Sequence, residues 1–341
     1  MKLSVLIPVF NGEDYIAHCL DTLISQDILM DDYEIVIMND GSTDNTGNII
    51  LEYKKKYPNI KYYSENNVGV YVVRNRLIKL AKGDYIYFID ADDYIANNSL
   101  GTLLNCMIEN NVELLGFQSS GTTLIKRFEW KRNEETLESP ELISGKEFLV
   151  RRRNLNHEIW WYFVKRSFLI NQNITFDNDR FNADVLFTLK LLWSTKKMIF
   201  LPIVFHKYYQ SPKSISRNKD IDKRNLLIDN RLVMINKYSR FINEIEVRNK
   251  EDKILISNLL FRRDVFTFSA IINMIKTNRS ASSINDAIAS LKEVGAYPLN
   301  HLTGKEYNTL FLRFLCSIIN KQRFLNVLLP IRNKVFKGVI K

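Results

Sequence analysis

Short apolar runs and helical periodicities alternate along residues 1–100. Apolar runs at 2–9, 34–38, 60–64 and 85–89 are rich in β-branched and aromatic residues and end in turn residues, which predicts four buried strands. Between them, apolar side chains recur at helical spacing: Ile16, Leu20, Leu23 and Ile24; then Ile49, Ile50, Tyr53 and Tyr57; then Val73, Leu77 and Leu80. These predict helices over about Glu13 to Gln26, from a cap at Thr43 or Asp44 to Pro58, and from Asn66 to Gly83. The β-α-β-α-β-α-β order with short loops argues for an α/β fold whose largely parallel sheet is covered on both faces.

Beyond residue 100 the pattern is coarser. Residues 119–143 are polar and mixed, which reads as a loop or hairpin excursion, and Ser144 with Glu147 reads as a capping box that opens a helix toward Arg151, Arg152 and Arg153. From Asp222 only long helical patterns remain: 222–241, 250–276, 283–294, and a last one from Lys305 that Pro330 should break. The expected division is an α/β catalytic domain over 1–221, with halves 1–100 and 101–221, and a helical region over 222–341.

Sheets of this type bind ligands beyond the carboxyl ends of their strands. The unusual residues sit there: Pro8, Phe10 and Asn11 after the first strand, Asn39 to Asp44 after the second, and Asp90, Ala91, Asp92 and Asp93 after the fourth. Three carboxylates at one strand end repel one another unless a hard divalent cation, magnesium or manganese, or protonation relieves them. A solvated acidic turn is the plainer alternative, weakened by the clusters at the neighbouring strand ends. Gly-rich phosphate loops are absent, so a cation with Arg74 or Arg76 is the expected holder of phosphates.

Composition narrows the class without choosing a function. The 341 residues are 46% hydrophobic and 25% charged, the range of ordinary folded domains. Cys19, Cys106 and Cys316 are far apart and outside any CxxC, which reads as reduced thiols. The start of the chain lacks a signal-peptide pattern, and no apolar run reaches the roughly 20 residues that span a bilayer, so a cytoplasmic protein is expected. The net charge of +10 suits a phosphate-bearing ligand or an anionic membrane face. Nucleic acid is not expected, because zinc-finger spacing, RNP-type aromatics and basic-region heptads are all missing. Lys321, Arg323, Arg332, Lys334, Lys337 and Lys341 interleave with Phe324, Leu328, Ile331, Phe336 and Val339 in a basic amphipathic tail. Such a tail can lie peripherally on the inner face of the plasma membrane, or pack on its own domain or a second subunit.

Pro-Val-Phe-Asn at 8–11, Asn-Asp-Gly-Ser-Thr-Asp at 39–44, Val-Arg-Asn at 73–75 and Asp-Ala-Asp-Asp at 90–93 together resemble the nucleotide-sugar-binding half of the inverting family 2 glycosyltransferases. The resemblance implies the GT-A fold and transfer of a sugar from a nucleoside diphosphate, mostly uridine diphosphate, to a saccharide or lipid-linked saccharide of bacterial surface polysaccharide. It implies that Phe10 packs on the base, Asp40 accepts from it, Arg74 lies near base or phosphates, Asp90 lies near the ribose, and Asp92 binds the cation. Trp160 to Phe168, Phe181 to Phe187, and Tyr208-Tyr209 with Ser214-Ile215-Ser216 resemble the acceptor half, with Asp184 as the general base and the last segment as a loop closing over the donor. Ala183 departs from the glutamate that many relatives carry before this aspartate, and Val73 from their alanine.

Plainer readings stand beside each of these. Asp184 could cap the helix of Val185, Leu189 and Leu192, Phe10 could be core, Asp40 an Asx-turn residue, and Arg74 a solvated helix residue. His206 reads as a structural histidine or a metal ligand, and Trp160 and Trp161 as core or as sugar platforms. At the level of the whole chain, a nucleotidyltransferase would need a Gly-rich segment and lysine after the first strand, which are missing. A catalytically inactive GT-A binding module gains some room from Ala183.

Overall fold

A computed structural model describes residues 1–130, 137, 139–154, 156–179, 181–211, 220–302 and 309–331. The chain packs as two compact units, 1–148 with 157–214, and 149–156 with 215–341.

In the first unit, strands β1 (Leu3–Val9), β2 (Tyr33–Asp40), β3 (Ile60–Glu65) and β4 (Tyr85–Phe88) lie parallel in the order β3-β2-β1-β4. Helices α1 (Ile16–Ile24), α2 (Thr46–Lys56) and α3 (Val70–Leu80) connect them. Each helix is shorter than its periodicity predicts, because the loops claim the helix ends. Neither Thr43 nor Asp44 is the N-cap of α2; Asn45 is, and the Asp44 carboxylate instead takes the Thr46 N–H at 3.1 Å. β1 runs through Pro8 to Val9. Leu6 O takes the Ile89 N–H, so the N–H that Pro8 lacks would point to the same side, where pairing with β4 has ended at Phe88.

The expectation of a largely parallel sheet is corrected to a mixed one, because the strand–helix alternation stops after β4. There follow β5 (Tyr94–Ile95), α4 (Leu100–Glu109), β6 (Leu114–Thr122), β7 (Leu142–Ile143), α5 (Gly145–Arg151), β8 (Tyr162–Lys165), α6 (Arg166–Asn171), α7 (Ala183–Ser194) and β9 (Met198–Tyr209). β8 is antiparallel to both β4 and β6, and β6 and β9 resume the direction of β1. β5 and β7 pair antiparallel with β9. Residues 119–122, read as loop, extend β6 because β9 offers them a continuous ladder. Tyr87, Phe117, Phe163 and Phe205, one from each of β4, β6, β8 and β9, interlock with ring centroids 4.5–6.0 Å apart and hold the two halves of the sheet together.

The second unit is helical among the described residues: α8 (Ile221–Asn243), α9 (Lys250–Lys276), α10 (Ala281–Glu293), α11 (Leu310–Asn320) and α12 (Gln322–Leu328). Asp220, Asn249, Ser280 and Thr309 each accept a backbone N–H of the helix they precede, so four starts are fixed locally. The single helix expected from Lys305 is two, because the chain turns at Lys321 before a 3-10 turn at Leu329–Ile331. Arg153 lies over the Phe261 ring at 3.8 Å and donates to His301 O, so this member of the arginine triplet is engaged internally. No helix among the described residues is long and apolar enough to cross a membrane.

Candidate active site

The strand order changes direction between β1 and β4, since β2 lies on one side of β1 and β4 on the other. The loops leaving their carboxyl ends therefore diverge and leave a crevice, the position where open α/β sheets bind ligands. Asn11 turns the chain there with φ of 50°, and its side-chain oxygen accepts the Thr43 N–H at 2.9 Å, while its own N–H donates to Ser42 Oγ. Glu13 Oε2 accepts from Asn45 N, and Asp44 Oδ2 from Glu13 N. The loops after β1 and β2 are thus zipped together, and Phe10 is left projecting, 52% exposed. A Cβ on Gly12 would lie 3.8 Å from Ala91 Cβ, so the loops after β1 and β4 run close to each other. Phe10 is not core, and Pro8 is buried inside its strand.

Asp40 is buried at the end of β2, and its two carboxylate oxygens accept the N–H groups of Val68 and Gly69 at 2.7 and 3.0 Å. A carboxylate from another strand thereby satisfies the donors just ahead of α3, which has no side-chain cap of its own. The partners are 28 and 29 residues away in the chain, so this is not the local Asx-turn weighed for Asp40.

Asp90, Asp92 and Asp93 diverge in role. Asp90 accepts from Arg74 Nη2 at 2.6 Å, and the Arg74 guanidinium, buried, lies 5.3 Å from the Tyr71 ring and 5.8 Å from that of Phe176. Arg74 is therefore no solvated helix residue, and Arg76 pairs instead with Glu65. Asp93 is wholly buried; it accepts the Tyr209 N–H at 2.8 Å and faces His206 Nε2 at 3.1 Å, while His206 Nδ1 meets Ser119 Oγ at 2.6 Å. Burial drops the His206 imidazole to about 3, and burial with the Asp90 charge pushes the Asp93 carboxyl well up. Asp93, read with Asp90 and Asp92 as a candidate cation ligand, and His206, read as structural or as a metal ligand, are paired with each other in the interior. Asp92, at the turn, is half-buried. Burial, then the charges of Asp93, Asp92 and Asp90, raise the buried Cys19 thiol beneath them.

Asp184 stands in the first turn of α7, after Asn182 at φ of 63°. Its Oδ1 accepts from the Tyr71 hydroxyl at 3.1 Å and from Val185 N. Burial raises its carboxyl above the ordinary range, the His157 and Arg74 charges oppose the rise, and Glu158 adds to it. Tyr71 and Arg74 are one turn apart on α3, so a single helix holds both Asp184 and Asp90. Asn75, on the same helix, donates to Phe176 O and accepts from Phe176 N, and the Phe176 ring stacks on Phe187 at 3.9 Å.

Tyr71, Phe176, His157, Glu158 and Ser119 were not legible from the sequence as site residues; the one available signal was Tyr71, an aromatic one helical turn before Arg74. Trp160 stacks on His206 and Tyr208 at 5.7 and 5.2 Å, and Trp161 is buried. Tyr208 and Tyr209 end β9 rather than lying in a loop, and Ser214 to Ser216 lie outside the described residues. Among the described residues no group of three or more His, Cys, Asp or Glu side chains is placed to hold a metal ion.

Residues 4–176 match the model of the family described as glycosyl transferase family 2. An uncharacterized glycosyltransferase of Escherichia coli (strain K12), YibD, is 29% identical over 265 residues, covering 75% of this chain and 74% of that protein. The poly(ribitol-phosphate) beta-glucosyltransferase of Bacillus spizizenii is 44% identical over 116 residues, 33% of this chain and 18% of that longer protein. Among solved structures, residues 1–349 of Staphylococcus aureus TarS in complex with UDP-GlcNAc superpose with a TM-score of 0.72 at 20% identity, covering 99% of this chain and 92% of that one. The match spans half of the sequence and the architecture follows the GT-A pattern of strand, crevice and helical region: the chain is a glycosyltransferase of family 2.

Proposed function

We propose that this chain transfers a sugar, with inversion, from a nucleoside diphosphate donor to a hydroxyl of a saccharide or lipid-linked saccharide in surface polysaccharide assembly. Uridine diphosphate is the preferred carrier in this reading, consistent with the UDP-GlcNAc held by the TarS structure. The observation that carries the proposal is that α3 ties Asp184 and Asp90 to one rigid element through Tyr71 and Arg74. In this reading the buried carboxylate of raised basicity serves the acceptor and the acidic strand end serves the donor, both anchored on α3.

In this reading Phe10 stacks on the base, and Asp92 holds magnesium or manganese. A site with one protein carboxylate fits such a cation, which takes its remaining ligands from diphosphate and water. When bound, the cation neutralises charge that grows on the leaving diphosphate. Asp184 accepts the proton of the attacking hydroxyl, a contribution of about 10²- to 10⁴-fold. Attack from the face opposite the diphosphate is a single displacement and inverts the anomeric carbon. In this reading the acceptor hydroxyl meets Asp184, which feels the Glu158 charge, and the Trp160 ring supplies a platform for a sugar face.

Calorimetric titration of uridine, guanosine and thymidine diphosphates, with and without manganese, on the wild type and Asp92→Ala tests the donor site. Tight binding of one nucleotide that needs both metal and Asp92 supports it. Absence of binding in every condition removes it.

A further inference from the structure

Helices α11 and α12 carry apolar side chains on the side that faces water as well as on the side that faces the interior. On α11, Leu315, Ile318 and Ile319 are buried, yet Leu310, Phe311 and Phe314 are 85%, 49% and 57% exposed. On α12, Leu325 is buried while Phe324 and Val327 are 48% and 68% exposed. Isolated exposed hydrophobes are ordinary, but these five fall on two consecutive helices, three of them at the i, i+1, i+4 spacing of one helix face.

The charges beside them are of one sign. Arg313, Lys321 and Arg323 are exposed on the same two helices and the turn between them. From Thr309 to the last residue the sequence holds seven Lys or Arg and no Asp or Glu, three of the seven before residue 331 and four after it. The latter four lie outside the described residues and enter as sequence alone. A second copy of this chain would bring two positive faces together, which opposes self-association through this surface. A face of aromatic and aliphatic side chains edged by long cationic ones matches the interfacial region of a bilayer, where apolar tips enter the acyl boundary and the cations reach lipid phosphates. Neither helix is long enough to cross, so the contact is peripheral.

We propose that α11 and α12 seat this protein on a bilayer surface rich in anionic phospholipid. The inference stands apart from the donor and acceptor reading, since it concerns attachment and not transfer.

The test is flotation of the full chain, without donor, on vesicles of phosphatidylcholine alone and of phosphatidylcholine mixed with phosphatidylglycerol. The wild type should float with the anionic vesicles and be released at high salt. The double variant Phe311→Ser/Phe314→Ser should lose about ten-fold or more in partitioning, as should the charge variant Arg313→Gln/Lys321→Gln/Arg323→Gln. Both replace exposed side chains, and circular dichroism checks that each is folded. A wild type that stays behind with anionic vesicles at low salt overturns the proposal, as do variants that float as well as the wild type. Light scattering that shows a dimer lost in the phenylalanine variant, with no flotation of the wild type, assigns the surface to a second copy instead.

Discussion

The Tyr71 hydroxyl donates to Asp184 Oδ1 across 3.1 Å, joining the first turn of α3 to the first turn of α7. One turn further along α3, Arg74 holds Asp90 at 2.6 Å. The base candidate and the acidic strand end are therefore positioned by the same helix, although 94 residues separate Asp90 from Asp184 in the numbering.

Asp184→Asn should abolish transfer, by about 10²-fold or more in kcat, while leaving nucleotide affinity intact. The variant should also melt at a higher temperature at neutral pH. The folded-state carboxyl is raised above its unfolded value by burial, so its ionisation opposes folding as pH rises, and an amide removes that opposition. Calorimetry and single-turnover transfer assays read the two effects separately.

Tyr71→Phe should move the acid limb of the pH–rate profile upward. A base works only when deprotonated, so the rate falls as pH drops through its pKa. The lost O–H donor stabilised the ionised form, so the carboxyl of the variant titrates still higher. The check is kcat/KM against pH; an unchanged acid limb would mean that Asp184 is not the titrating base.

Arg74→Met should cost about 2 kcal/mol or more of stability, measured by urea unfolding. Losing one partner of a fully buried pair costs about 3–5 kcal/mol, and the partial exposure of Asp90 reduces this. Arg74→Lys should recover little, because an ammonium lacks the flat guanidinium that lies beside Tyr71 and Phe176.

Phe10→Ala should weaken nucleotide diphosphate binding about ten-fold without lowering the melting temperature, since the ring is half in water and packs into no core. An equal Kd in wild type and variant would remove the stacking role.

His206→Leu should do the reverse. It leaves Asp93 and Ser119 facing an apolar group in the interior, at about 2 kcal/mol of stability, and nucleotide affinity should stay the same.

The order and type of the first elements were legible because burial imposes a period on the residues that form them: β1 to β4 and α1 to α3 can be read from apolar spacing alone, as can the clusters after β1, β2 and β4. The carboxylates at 90–93 were legible as a site because polar turns at three strand ends are a local pattern. What the sequence could not express was which of these carboxylates faces which partner. Asp93 and Asp92 are adjacent in the chain, yet one lies in a dry interior against His206 and the other at the turn, a difference made by β9 arriving beside β5. Likewise Arg74 looks like any helical arginine until Asp90, Tyr71 and Phe176 close around it. Periodicity records how each segment meets the core, so it determined the elements and their strand-end loops. The pairing of charges depends on contacts between segments far apart in the chain, and only the tertiary structure decided those.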